Sequence, residues 1–177
     1  MRAPLLLAAL AAAIVAATAS ASARSSCSAS GLSTSLPAQK VPAAVASVRA
    51  RIVRAAVACD YAALERIGRE KGSFAFSYGA ERSAAAYWRT LERKGGKPLG
   101  RLVKILELPV TRNEAKAYAW PSAYTEKPKA ADWNALVRAG VYTRREVDRM
   151  RAGGNVYLGY RVGITPKGDW QFFIAGD

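Results

Sequence analysis

Apolar positions in the first part of the chain recur with the period of an α-helix. Apolar side chains stand every three or four residues at Val41, Val45, Val48, Ile52, Ala55 and Cys59. This spacing places them on one face of a helix. Asp60 then interrupts the pattern and suits the N-cap of a second helix, YAALERIGRE. The pattern predicts two consecutive amphipathic helices.

The middle of the chain mixes short segments of both periods. SFAFSYG alternates aromatic and small residues, which predicts a half-buried strand, and AKAYAW predicts another that ends at Pro121. Residues 83–93 and ADWNALVRAG have helical patterns. LGRLVKILEL is compatible with helix or strand, and its apolar spacing favours a helix that ends at Pro109.

The segment YTRREVDRMRAGG has the strongest local helix signals. Thr143 and Glu146 have the spacing of a capping box, and Tyr142 and Val147 have that of a hydrophobic staple. The segment predicts a helix over residues 144–151.

The last apolar segment predicts a β-hairpin. Residues 165–169, Thr-Pro-Lys-Gly-Asp, suit a type I turn followed by a G1 bulge at Gly168. This turn pairs residue 164 with 170, 162 with 172 and 160 with 174. One face of the hairpin then gathers Tyr160, Val162, Ile164, Trp170, Phe172 and Ile174.

These segments amount to about five helices and four strands, without the regular alternation of a doubly wound sheet. The predicted fold is α+β, with N-terminal helices packed on a small, mainly antiparallel sheet closed by the C-terminal β-hairpin.

The chain begins with an export-type segment. Arg2 precedes a short apolar run, and small-residue triplets follow it, so residues 1–23 are predicted to be a cleaved signal peptide. A buried helix or a membrane anchor is the alternative. Lipidation of Cys27 is disfavoured because Arg24 precedes it in place of a lipobox. The prediction is a secreted, periplasmic or cell-envelope protein with no transmembrane segment after cleavage.

Residues 24–40, rich in Ser, Gly and Pro, predict a flexible leader before a single domain over residues 41–177. The two cysteines, Cys27 and Cys59, favour a disulfide in an exported chain. A small buried thiol at Cys59 is the alternative.

The formal net charge of +14 favours an anionic partner, such as an envelope polymer or surface. Two clusters are the candidate anion contacts: Arg93, Lys94, Lys97, Arg101 and Lys104, and separately Arg144, Arg145, Arg149 and Arg151. Solvated helix faces are the alternative interpretation of both.

The residue inventory excludes several chemistries. Histidine is absent, which removes His-dependent nucleophile systems and the commonest metal ligand. The sequence contains no phosphate-binding loop or dinucleotide fingerprint, so no cofactor, nucleotide or metal is predicted. Most acids stand beside arginines in predicted helices, where surface ion pairs explain them.

Aromatic residues are the remaining candidates for ligand contact. Tyr118, Trp120, Tyr124 and Trp170 suit stacking on flat ligands, and core packing is the alternative. On the reverse face of the hairpin, Phe173 falls beside Arg161. Arg161, Phe173, Trp120 and Tyr118 are therefore the predicted ligand-binding residues.

The segment IVRAAVACDYAALERIG resembles the opening of the cystatin-like α+β rolls of the ketosteroid isomerase-like class. The resemblance covers residues 41–80 and 157–175. It implies a cone-shaped sheet with a pocket that binds rather than catalyses, because the predicted strands lack the family's carboxylates. The middle of the chain departs from that class, with extra helical segments in place of strands.

Three functions are compatible with these features. The leading hypothesis is an exported, non-enzymatic binding or accessory domain that contacts an anionic envelope polymer or surface. The second is an enzyme with a carboxylate-based pocket in an α+β roll. The third is a module that binds a protein partner.

Overall fold

The computed structural model describes residues 26–176, so the predicted signal peptide at residues 1–23 lies outside the described residues. The described chain has an α+β fold with six helices and four strands. In order these are α1 (Ala43–Val57), α2 (Tyr61–Arg69), α3 (Ala84–Arg93), α4 (Pro98–Glu107), β1 (Thr111–Arg112), β2 (Tyr118–Trp120), α5 (Ala130–Arg138), α6 (Arg144–Ala152), β3 (Arg161–Ile164) and β4 (Trp170–Ile174). None of these helices is long and apolar enough to cross a membrane.

Side-chain caps begin α2 and α6 as the sequence predicts. The Asp60 carboxylate accepts a hydrogen bond from the backbone N–H of Ala63 at the start of α2. Thr143 and Glu146 form the reciprocal capping box of α6. LGRLVKILEL is a helix, α4, because its apolar side chains are buried on one side.

The four strands form one antiparallel sheet in the order β1-β2-β3-β4. Strand β1 was not predicted, since a two-residue strand has no measurable period. The predicted strand SFAFSYG is wrong: it makes only a single parallel bridge, from Ala75 to Phe172 at the edge of the sheet. The extended segment ends there because the Ser77 side chain accepts from the N–H of Gly79 and closes a local turn.

The C-terminal hairpin is confirmed, and so is its turn. Thr165 bonds Asp169 across the loop, and Gly168 has a left-handed backbone with φ 78°. Ile164 pairs with Trp170 as predicted.

The predicted register of the hairpin is wrong beyond that pair. A β-bulge shifts the remaining partners by one residue, so that Gly163 faces Phe172, Val162 faces Phe173 and Arg161 faces Ile174. Because Phe172 and Phe173 are adjacent, a bulge exchanges their positions at little cost in apolar burial. Phe173 is therefore the core residue, with 0% exposure, and Phe172 takes the position opposite Gly163.

The core lies between the helices and one face of the sheet. Its centre is aromatic: Trp88 of α3 stacks on Trp170 of β4 at 6.2 Å between ring centroids and contacts Phe173 at 5.7 Å. Aromatic pairs of this kind add to the hydrophobic stabilisation from buried area.

Residues 26–40 of the predicted leader contain no helix or strand, yet they lie against the domain. We call residues 26–41 the strap. Cys27 forms a disulfide with Cys59, which confirms the predicted pairing. At the other end Gln39 donates a hydrogen bond to the Leu108 carbonyl. Between them the buried Arg49 donates to the Pro37 carbonyl at 3.0 Å. The strap is thus attached to the helices at several points, and its flexibility stays a prediction.

Candidate functional site

A cavity beside α4 collects three residues of the first predicted basic cluster. These are Lys97, the N-cap residue of α4 with a left-handed backbone, and Arg101 and Lys104, which lie about one turn apart on the helix. They line a cavity of about 410 Å³. The opposite wall is the connection between α5 and α6, residues 140–143, together with Glu146 of α6.

A second cavity, of about 270 Å³, shares the lining residues Arg101, Tyr142 and Glu146 with the first. It adds Arg149 of the second predicted basic cluster. We call the two cavities together the basic cleft. The fold therefore combines part of both sequence clusters around Arg101.

Arg101 is fixed at the centre of the cleft. Its Nη2 lies 3.1 Å from Glu146 Oε1, and its guanidinium lies over the Tyr142 ring at 4.8 Å from the ring centroid. The centroid of the Tyr160 ring lies 5.8 Å from the same guanidinium. A guanidinium has five N–H donors, so one bond to Glu146 leaves others for a ligand.

Glu146 is the one acid among the residues that line the basic cleft. Partial burial opposes its charge, but hydrogen bonds from the backbone N–H and hydroxyl of Thr143 and the charge of Arg101 outweigh burial and lower its pKa. Both carboxylate oxygens already have partners. Glu146 is thus an ionised positioning group for Arg101 and is not available as a proton donor.

Tyr142 forms the floor of the cleft. Its hydroxyl accepts a hydrogen bond from the backbone N–H of Tyr160 at 2.6 Å. Burial is the main cause that raises the pKa of Tyr142. The ring is buried and lies under the guanidinium of Arg101, so it offers no free aromatic face.

The strap supplies one wall of the first cavity, through Ser28 and Leu32. Ser28 is held at the N-terminus of α4, where its hydroxyl accepts from the N–H of Gly100 at 2.8 Å. The Glu92 carboxylate accepts from the N–H groups of Ser28 and Leu99. These bonds use the free N–H groups of α4, so the positive character of the cleft comes from side chains.

A cavity of about 540 Å³ on the outer face of α2 is a weaker candidate. Its charges are Glu65, Arg66, Arg69 and Glu70. Arg69 pairs with Glu65 at 3.1 Å, and Glu70 pairs with Arg51. Equal numbers of acids and arginines give this surface no preference for anions.

The remaining predicted anion contacts lie outside the basic cleft. Arg93 and Lys94 are exposed at the end of α3. Arg144 donates a hydrogen bond to Asn134, and Arg145 and Arg151 are exposed on α6. Which cations line the same cavity depends on the helix face that they occupy and not on the run of basic residues along the chain.

Two of the three predicted aromatic ligand contacts are packed inside the domain. Trp120 and Phe173 are both 0% exposed. The Trp120 indole donates to Gln39, and Phe173 stacks on Tyr160 at 5.1 Å. Tyr118 is half-buried under the guanidinium of Arg112, at 4.2 Å. None of the four predicted ligand-binding residues lines the cavities described above, and the buried Trp120 fits the core alternative.

Arg161, the fourth of these residues, is 7% exposed. It donates to the Tyr78 hydroxyl at 2.6 Å and lies over the Tyr124 ring at 5.2 Å. Within residues 26–176 no carboxylate pairs with it. The tyrosine hydroxyl and the aromatic face replace an acid as its partners.

The sequence did not single out Ser28, Leu32, Tyr142 or Glu146 as site residues. For Tyr142 and Glu146 the available signals were the staple and the capping box, which explain the helix start but not its neighbours. Glu146 meets Arg101 across 45 residues of chain, a contact that depends on packing and carries no local pattern.

The cleft has no ligand set for a metal. Over residues 26–176, no group of three or more His, Cys, Asp or Glu side chains could hold an ion. What the arrangement provides is a concave surface with four cations and one paired acid. Such an arrangement suits the binding of negative charge.

Comparisons with known proteins do not assign a function to the basic cleft. No protein-family model, no curated protein and no solved structure matches the chain. The resemblance to the ketosteroid isomerase-like roll therefore stays a prediction.

Proposed function

We propose that this protein is an exported, non-enzymatic binding or accessory domain that contacts an anionic polymer of the cell envelope or extracellular space through the basic cleft. The observation that carries the proposal is the row Lys97, Arg101 and Lys104 along one wall of a cavity whose acid, Glu146, is already paired. Cations that outnumber the neighbouring carboxylates attract anionic ligands over the range of the Debye length.

The contacts of Arg101 support binding because they reduce its entropic cost. Ordering a free arginine side chain costs up to about 2 kcal/mol. Here the Glu146 carboxylate and the Tyr142 ring already hold the guanidinium in the cleft. A ligand that reaches it meets a fixed donor group.

Export is consistent with the disulfide between Cys27 and Cys59. Such bonds persist in oxidising compartments and are rare in reducing ones. An envelope polymer would then be accessible to the cleft.

The carboxylate-based enzyme receives no comparable support. Burial raises the pKa of Glu107, with Lys104 and Arg49 opposing the effect. Glu107 does not line the basic cleft, and Glu146, which does, has a lowered pKa. A general acid in the cleft would need the opposite shift.

The test is a comparison of two triple variants with equal loss of charge. The cleft triple variant combines Lys97→Gln, Arg101→Gln and Lys104→Gln. The control triple variant combines Lys40→Gln, Arg54→Gln and Lys127→Gln, at three exposed cations outside the cleft. Titration calorimetry with dextran sulfate, at several salt concentrations, measures the affinity of each protein.

We expect the cleft triple variant to bind dextran sulfate about tenfold more weakly than wild type does. Three lost ion pairs of about 0.5 kcal/mol each together correspond to about that factor in Kd. The control triple variant should lose less than about threefold, because its charges act only through the long-range field. Equal losses in the two variants would show that the whole basic surface binds polyanions and that the cleft has no special role.

A further inference from the structure

We propose that the ligand of the basic cleft is a linear acidic polysaccharide that lies lengthwise along α4, with Arg101 at the middle of the bound segment. This inference rests on the proposed function and names the class of polymer.

The cations of the cleft form a row suited to a chain and not to a single small anion. Arg101 and Lys104 lie about one helical turn, or roughly 5 Å, apart along α4, and Lys97 precedes them at the N-cap of the helix. Arg149 continues the positive surface into the second cavity. The cavities of about 410 and 270 Å³ adjoin at Arg101. A ligand with one negative group on each successive unit would meet each cation in turn.

The aromatic residues of the cleft argue against single-stranded nucleic acid. Proteins that bind single strands stack bases on exposed aromatic faces. In the cleft, Arg101 covers the Tyr142 ring at 4.8 Å. The Tyr160 ring stacks on Phe173 at 5.1 Å. No aromatic face that lines the described cleft is free for a base.

The shape and exposure of the surface argue against a membrane. Peripheral helices insert large apolar side chains into the interface. In the described part of the chain, the large apolar side chains that are exposed are Tyr78 and Val156. Neither lines the cleft, and the cations lie in a concavity that a flat bilayer does not enter.

Apolar groups beside the cations favour a sugar polymer over inorganic polyphosphate. Leu32 and Val141 line the first cavity, and Met150 and Leu158 line the second. Sugar rings present C–H faces together with their charged groups, and ligand sites commonly pair apolar lining with a few polar contacts. Polyphosphate has no apolar part to bury against these side chains.

The experiment compares three polymers of equal total charge on the same protein. The probes are an oligogalacturonate with a carboxylate on every ring, an oligothymidylate, and a linear polyphosphate. Vesicles of phosphatidylglycerol and phosphatidylcholine form a fourth arm. Affinity is measured for wild type, for the cleft triple variant and for Leu32→Ser.

The oligogalacturonate should bind to wild type at least about fivefold more tightly than either matched polymer. The cleft triple variant should bind the oligogalacturonate about tenfold more weakly than wild type does. Leu32→Ser should weaken oligogalacturonate binding about threefold and leave polyphosphate binding unchanged. A structural effect of Leu32→Ser would instead lower both affinities and the Tm.

If oligothymidylate or polyphosphate binds more tightly, and this binding still depends on the cleft cations, the inference of a polysaccharide ligand is wrong and the proposed function stays intact. Cleft-dependent binding to vesicles alone would overturn both the polysaccharide and the proposed function, because that function names a polymer. If no probe binds in a cleft-dependent way, both the inference and the proposed function are wrong.

Discussion

At the scale of single residues, Gly163 and Phe172 explain why the hairpin has its observed register. They face each other across β3 and β4, and a Cβ at position 163 would overlap the Phe172 ring. The glycine leaves room for this ring, which also packs edge-on against Tyr124 at 6.1 Å. A large ring opposite a glycine fills the space that a side chain would otherwise occupy.

Replacing Gly163 with alanine tests this pairing. We expect a loss of about 1–3 kcal/mol in the free energy of unfolding, measured by urea denaturation, because the added methyl group must displace the ring. The double variant Gly163→Ala/Phe172→Leu should be less destabilised than the sum of its two single variants, since leucine vacates the overlapping volume. Wild-type stability for Gly163→Ala would show that the two residues are not opposed.

At the scale of elements, the strap connects the disulfide to the wall of the basic cleft. Cys27 is followed immediately by Ser28, which lines the cleft and bonds the first turn of α4. Cys59 follows α1, beyond the C-cap residue Ala58. The covalent bond therefore holds a cleft residue against the helices.

Reduction of the disulfide should destabilise the domain. The bond closes a segment with a sequence separation of 32 residues, for which the loss of chain entropy corresponds to about 3–4 kcal/mol. Urea denaturation with and without reductant measures the change. The double variant Cys27→Ser/Cys59→Ser is the control, and reductant should not affect it. A wild-type protein equally stable in both conditions would contradict a stabilising role for this bond.

Some elements of the fold were predictable from the sequence and others were not. The helices were predictable because their signals are local: the Asp60 cap, the capping box of Thr143 and Glu146, and the apolar period. The register of the hairpin was not, because Phe172 and Phe173 are chemically alike, and the contact of Phe173 with α3 and the space beside Gly163 for Phe172 distinguish them. The segment at Phe74 has strand-like alternation, but a turn at Ser77 limits its pairing to one bridge.

At the scale of the whole molecule, the sequence predicted the cations of the site but not the cleft that they line. The spacing of Lys97, Arg101 and Lys104 along one helix was already in the sequence, as was the excess of positive charge. The cleft itself arises where α6 and the strap pack beside α4, which brings Glu146 and Leu32 to the same cavity. Long-range packing of this kind has no periodic signature, so the sequence could not separate these three cations from the other basic residues.

We expect negative charge to bind in the basic cleft and not across the basic surface as a whole. Mapping of backbone amide chemical shifts by NMR, during titration with the oligogalacturonate, tests it most directly. We expect the largest changes in residues 97–104 and 140–150 and in the strap near Leu32. Changes spread evenly over the exposed arginines, or centred on the outer face of α2 near Arg66, would contradict it.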